Sequence, residues 1–181
     1  MAKSIDRIEE ALTKLESLGA KLSILFSVAF VFVVLSVVFC LVVEALHFSD
    51  SGQALEPMRL MQLISTLLDF AIYGAILLAM RGIAKDVALG RSPFTIMHAN
   101  QIRIIAWLFL AGFFLGISTS PGFVSIADVW DLPVGVASDQ AIEYPVFHLD
   151  VKSVVGAVVC FSLSSVWKYG ALLQADSDDY L

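Results

Sequence analysis

LSILFSVAFVFVVLSVVFCLVV, residues 22–43, contains no charged residue, and that fact decides the fold class. As an α-helix these 22 residues measure about 33 Å, enough to cross a hydrocarbon core about 30 Å thick. The stretch is rich in β-branched residues, yet an isolated strand in lipid would leave its backbone groups unpaired, so a helix is expected. A cleaved signal peptide fits poorly. Its charged leader would run 21 residues and carry Asp6, Glu9, Glu10 and Glu16, and no small-residue cleavage site precedes Glu44. The first span is therefore expected to remain in the mature protein.

Three further apolar runs follow. Residues 60–80 are interrupted only by Asp69, residues 104–120 close at Pro121-Gly122, and residues 153–174 are interrupted only by Lys168. The whole chain agrees with this pattern: 181 residues, 59% hydrophobic and 15% charged, with a mean hydropathy of +0.86. Soluble domains run at roughly 45–50% apolar and about 25% charged. Disorder, a disulfide scaffold and a nucleic-acid module are excluded, the last because Lys+Arg is 11 against Asp+Glu 17. The expected fold is an all-α, integral-membrane four-helix bundle. Its parts are an amphipathic helix (1–21), TM1 (22–46), an outer loop (47–57), TM2 (58–80), a cytoplasmic loop (81–102), TM3 (103–120), a partly structured outer loop (121–152), TM4 (153–175) and a tail (176–181).

Basic residues orient the spans. Lys3, Arg7, Lys14 and Lys21 precede the first span, and Arg81, Lys85, Arg91 and Arg103 lie between the second and third. The other two connections hold only Arg59 and Lys152. Eight against two predicts a multi-pass protein with both termini and the 81–103 segment in the cytoplasm. Negative charge in the outer loops does not oppose this.

The pieces between the spans carry their own patterns. Ser4 suits an N-cap, Asp6, Glu9 and Glu10 suit a helix start, and Glu10 with Lys14 forms an i,i+4 pair. Ile5, Ile8, Leu12 and Leu15 repeat with 3-4-3 spacing and form one narrow apolar seam. A partner helix, the lipid surface and a solvated approach to the first span all fit that seam. Gly90 is the expected C′ residue of the helix continuing span two. Ser92-Pro93 is the expected restart, with Thr95 as the competing cap. The outer segment 119–152 is too apolar for a free loop and is expected to fold over the bundle end, with a short hairpin in 134–149.

Candidate functional residues fall into three groups. Gln62, Thr66, Asp69 and Tyr73 are spaced 4-3-4 and share one helix face, which an acid within lipid forces to look inward. The group is either a proton, ion or ligand site or a polar cluster gluing helices together. Lys168 either pairs with Asp69 or snorkels to the headgroups. Gly112 and Gly116 form a GxxxG packing pattern, in cis or between two copies. Gly156, Cys160 and Ser164 form a small-residue seam that leads to Lys168. Cys40 and Cys160 read as free thiols in spans. His47 and His148 show no ligand spacing, so no metal, haem or other cofactor is expected.

The third group lies at the cytoplasmic end. Gly90-Arg91-Ser92-Pro93-Phe94-Thr95, with Asn100 and Arg103, and then Val166-Trp167-Lys168-Tyr169-Gly170 with Leu173, Gln174 and Asp176, resemble a YoaS-like family of small four-span bacterial membrane proteins. The resemblance implies the four-span fold. It also implies a possible partner, a helix-turn-helix regulator encoded beside such proteins. Phe94 is expected to pack against Trp167, Tyr169 or Leu173, either closing the bundle end or forming a docking surface.

No nucleophile triad, Walker or GxGxxG arrangement is present, so a non-enzymatic protein is expected. Its expected partners are the lipid bilayer, a cytoplasmic protein or a second copy, and no nucleic acid. The expected role is accessory or regulatory. The alternatives are the protective member of a toxin–immunity pair and a small transporter or channel subunit centred on Asp69.

Overall fold

The four apolar runs become four helices in a computed structural model, which describes residues 2–51, 57–120, 123 and 150–178. These are α1 (Ala2–Ser51), α2 (Pro57–Ala88), α3 (Ile96–Ser118) and α4 (Val151–Asp178), with no strand among the described residues. All four are long and apolar enough to cross a membrane, so the chain is a multi-pass, all-helical membrane protein. Their interiors hold serine and threonine with the hydroxyls paired to the helix's own backbone. Ser27, Ser36, Thr66 and Ser162 each donate to the carbonyl four residues back, at 2.7 to 3.0 Å.

The amphipathic helix and first span, expected as separate pieces, form one 50-residue helix. Ser4 therefore lies inside α1 and does not cap it. No glycine or proline interrupts 2–18, and the Glu10–Lys14 pair at 2.8 Å adds support on the exposed side. The connection between them shortens accordingly, because α1 runs to Ser51 and α2 begins at Pro57.

Neighbours in sequence are neighbours in space. α1 packs on α2, α2 on α3 and α3 on α4; among the described residues, α1 and α4 do not meet, nor do α2 and α4 pack directly. The bundle is thus two antiparallel hairpins joined along α2 and α3. Small residues make the close contacts. Gly19 faces the backbone of Ala84 and Ala88, and Gly156 faces the Phe109 ring. The buried set Ala99, Ile102, Ile105, Ala106, Ala157 and Ala171 makes α3 the central helix, and Trp107 meets Phe161 edge-on at 5.4 Å. Between helices in lipid such backbone approach is a main source of attraction, since apolar side chains gain little by leaving lipid tails.

The contacts also set the register. Gly82 lies by Gln101 and Gly112 by Ile72, so Asp69 is level with the last turn of α3 and the start of α4. The α1–α2 hairpin continues past that level for the 12 residues from Asp69 back to Pro57, about 18 Å. The expected hairpin in 134–149 and the folding of the 121–152 loop over the bundle lie outside the described residues, apart from Phe123 and 150–152.

Candidate functional site

At the end carrying both termini, the 89–95 turn is tied to three helices. α2 stops at a Schellman motif: Gly90 has φ +71°, its N–H donates to Val87 O at 3.1 Å, and Arg91 N–H donates to Asp86 O at 3.1 Å. Gly90 is thus the C′ residue, as its place in the sequence implies. The restart is at Thr95, whose hydroxyl accepts the His98 N–H at 3.1 Å with extended backbone angles of −123° and 149°. The expected Ser92-Pro93 cap is corrected. Ser92 instead donates to Gln174 Oε1 on α4 at 2.6 Å, and Pro93 lends only its carbonyl.

That carbonyl is the centre of the clasp. Pro93 O accepts from Trp167 Nε1 of α4 at 2.7 Å and lies 3.0 Å from His98 Nδ1, filling both of its lone pairs. His98 Nε2 lies 3.1 Å from Asp86 Oδ2, and Arg91 donates to Asp86 Oδ1 at 2.8 Å. The two imidazole nitrogens thus bridge a carbonyl of the turn and a carboxylate of α2. The hydrogen bond from His98 holds the Asp86 carboxyl below the usual carboxylate range; partial burial opposes it and the Arg91 charge reinforces it. Asp86 lies six residues beyond the apolar run that ends at Met80, on the charged continuation of α2. His98 itself is 2% exposed.

Around this polar core sit the aromatic residues. Phe94 stacks on Trp167 with centroids 5.2 Å apart, and a side chain at Gly170 would come within 2.9 Å of the Phe94 ring. Ser164 donates to Ala99 O at 2.7 Å, fastening α4 to α3 one turn deeper. Phe94, Tyr169 and Leu173 remain exposed. The two stretches carrying the family resemblance therefore do meet. Asp86 and His98, which complete the clasp, carry no sequence signal: they are 12 residues apart and come together only through the turn.

At the opposite end the expected polar face divides. Asp69 and Tyr73 line a cavity of about 100 Å³ with Gly112, Gly116, Asp150 and Ser153. Gln62 and Thr66 line a separate cleft of about 480 Å³ with Cys40, Glu44 and His47 of α1. The face is continuous, but α3 and α4 end at the level of Asp69, so beyond it α1 is the neighbour of α2 among the described residues. Asp150 caps α4, accepting from the Ser153 hydroxyl and from Lys152 N–H at 3.2 Å. The Ser153 hydroxyl bond holds the Asp150 carboxyl low; partial burial opposes this.

Lys168 is not part of that cluster. It is level with the end of α2, 19 residues or about 28 Å from Asp69 along the axis, and it is exposed with no ion pair among the described residues. Two errors of measurement explain the expectation. The apolar run ends at Met80, but α2 continues to Ala88, which displaces the depth scale. A four-residue repeat also advances about 40° per step, so Gly156 and Lys168 point about 120° apart. The inward line of α4 is instead Ser153, Ala157, Ser164 and Ala171, with Cys160 and Trp167 partly covered between them. Gly112 and Gly116 likewise do not bring backbones together within the chain. Among the described residues, Gly112 meets only Ile72 at 3.9 Å, and nothing lies within 4 Å of the position a Gly116 side chain would take.

Both cysteines are free, and among the described residues no cluster of His, Cys, Asp or Glu is arranged to hold a metal ion; His148 lies outside them. Fold and clasp define the class as a four-helix, multi-pass membrane protein with a rigid closure at its termini end. No protein-family model matches the chain, and neither the search of curated proteins nor the search of solved structures finds a match.

Proposed function

We propose that this is a non-enzymatic protein of the bacterial inner membrane, with both termini in the cytoplasm, that acts as an accessory or regulatory partner of a cytoplasmic protein. One observation carries the reading. A clasp built from four segments, through Asp86, Pro93, His98 and Trp167, fixes a patch in which Phe94, Tyr169 and Leu173 stay open, the last two at 71% exposure. A turn that only joined two spans would not need a buried imidazole bridging two of its neighbours to hold it. The resemblance to the YoaS-like family supports the same role, with a helix-turn-helix regulator as the partner.

The test is site-specific photocrosslinking in intact cells from Phe94, with Val158 on the lipid-facing side of α4 as control. A discrete adduct with a soluble protein at Phe94, absent at Val158, is the expected result. Lipid adducts alone at both positions overturn the proposal.

A second reading, a small transporter or channel subunit, is favoured by the two carboxylates Asp69 and Asp150 lining one cavity. Proteoliposomes decide it: ion or proton flux that is lost in Asp69→Asn supports it, and flux that is unchanged removes it.

A further inference from the structure

Arg103 and Lys168 stand at the membrane boundary with no counter-charge among the described residues. Lys21, Arg81 and Arg103 are the first charges met at the termini end of the first three apolar runs. Packing puts them within about one turn of a common level, since Gly19 faces Ala84 and Gly82 lies by Gln101. At that level hydrocarbon gives way to headgroups. Arg103 is exposed there, and Lys168, one turn past the Ser164–Ala99 hydrogen bond, is exposed just beyond it. Neither enters an ion pair among the described residues. Asp86 is taken up by His98 and Arg91, and Asp176 lies eight residues past Lys168, about 12 Å along α4.

Helix geometry sets both cations on one side of the α3–α4 seam. Trp107 and Phe161 meet edge-on at 5.4 Å and mark that side. Arg103 is one turn from Trp107 and rotated from it by about 40°, and the exposed Asn100, seven residues away, by about 20°. Lys168 is seven residues from Phe161, so it too is rotated by only about 20°. Both steps run toward the termini end, about 6 Å on α3 and about 10 Å on α4, so the cations flank one groove at neighbouring depths. Trp107 is 60% exposed, which leaves the groove open toward lipid. The clasp is elsewhere, because Trp167 points about 100° away from Lys168.

We infer that this groove binds one anionic phospholipid, with Arg103 and Lys168 on its headgroup phosphate and the Trp107–Phe161 pair against the start of its acyl chains. The guanidinium fork matches two phosphate oxygens, and the lysine ammonium adds a mobile point charge from the facing helix. Basic pockets between spanning helices are established recognition sites for such headgroups, and tryptophan favours the boundary just beneath them. Charge selects the lipid class. A zwitterionic headgroup brings its own cation toward two positive charges that no described carboxylate offsets, whereas an anionic one supplies the missing charge. The inference stands apart from the partner role proposed above and uses no part of the Phe94 patch.

The experiment is native mass spectrometry of the full chain released from detergent micelles that hold phosphatidylglycerol and phosphatidylcholine in equal amounts. One retained phosphatidylglycerol, favoured at least fivefold over phosphatidylcholine, is the expected result. The preference is expected to weaken at least twofold in Arg103→Gln and in Lys168→Gln, to vanish when both are changed, and to persist in Arg103→Lys. Lys85→Gln removes another exposed cation at the same end and is expected to leave it intact. A preference that survives the double substitution overturns the inference. So does one that Lys85→Gln reduces equally, which makes the attraction a matter of overall charge, or loss of the lipid to millimolar inorganic phosphate, which makes the site one for a free anion. Thermal melts separate binding from folding: phosphatidylglycerol is expected to raise the melting temperature of the parent and not of the double variant.

Discussion

His98 Nε2 lies 3.1 Å from Asp86 Oδ2, so the start of α3 is bonded to the last turn of α2 across a seven-residue turn. Because His98 is 2% exposed, water does little to replace a lost bond to the carboxylate. Removing a partner from a buried, charge-assisted pair costs more than the pair contributes, because the remaining group is left without solvation. Asp86→Ala is expected to destabilise the protein by about 2–3 kcal/mol. Asp86→Asn is expected to cost less, since its side-chain amide keeps a hydrogen-bonding group opposite the ring. Thermal unfolding in detergent, with both variants beside the parent, measures the difference.

The acid limb of stability follows from the same carboxylate. Asp86 and Asp150 both sit below the usual carboxylate range when folded, each chiefly through a side-chain hydrogen bond. A group whose folded pKa is depressed contributes stability that is present above its unfolded value, about 3.9, and lost as pH falls through the folded one. The melting temperature is therefore expected to stay level above about pH 5 and to fall on acidification below about pH 4. Asp86→Ala flattens that limb without removing it, because Asp150 still titrates. Melting curves from pH 3 to 7 check the slope.

Thr95 and Ser92 separate cap from bystander. The Thr95 hydroxyl accepts one of the free N–H groups at the start of α3, and a lost N-cap typically costs about 1 kcal/mol. Ser92 makes an exposed bond to Gln174, and exposed changes of that kind stay within about 0.5 kcal/mol. Thr95→Val is expected to increase amide exchange at residues 96–99, with Ser92→Ala leaving it unchanged.

The sequence made the spans legible for a plain reason: apolar length and absence of charge are local properties, and lipid admits few other solutions. Gly90 was legible too, since only a residue tolerant of positive φ ends a helix in that way. The pairing of Asp69 with Lys168 failed because depth was measured from where hydrophobicity stops, whereas helices continue past it on charged residues such as Lys85 and Asp86. The Ser92-Pro93 restart failed because a serine and a threonine three residues apart are equivalent caps on paper. Tertiary demand decided between them, with Gln174 and Trp167 of α4 recruiting Ser92 and the Pro93 carbonyl. His98 gave no signal because a buried imidazole is defined by its partners, and both of its partners come from outside its own helix.

Glycines order themselves by what a methyl group would strike, and this order inverts the one the GxxxG pattern suggests. At Gly19 a Cβ would lie 2.7 Å from Ala88 N and 3.0 Å from Ala84 O, both backbone atoms that move only if α1 and α2 separate. At Gly116 nothing among the described residues lies within 4 Å, so alanine there removes glycine's entropic cost in a helix, about 0.8–1.0 kcal/mol, without meeting a described neighbour. Gly170 is intermediate in kind, because the obstructing atom belongs to the Phe94 ring, 2.9 Å away, and a ring can tilt. Gly19→Ala is accordingly expected to destabilise by about 1–3 kcal/mol, as overpacking does, and Gly116→Ala to be neutral or stabilising. Gly170→Ala should fall between them and alter Trp167 emission, since Phe94 stacks on that indole at 5.2 Å. Thermal melts of the three variants test the order. If Gly116→Ala proved the most damaging, the packing assigned to α1 and α2 would not be the dominant contact in the membrane.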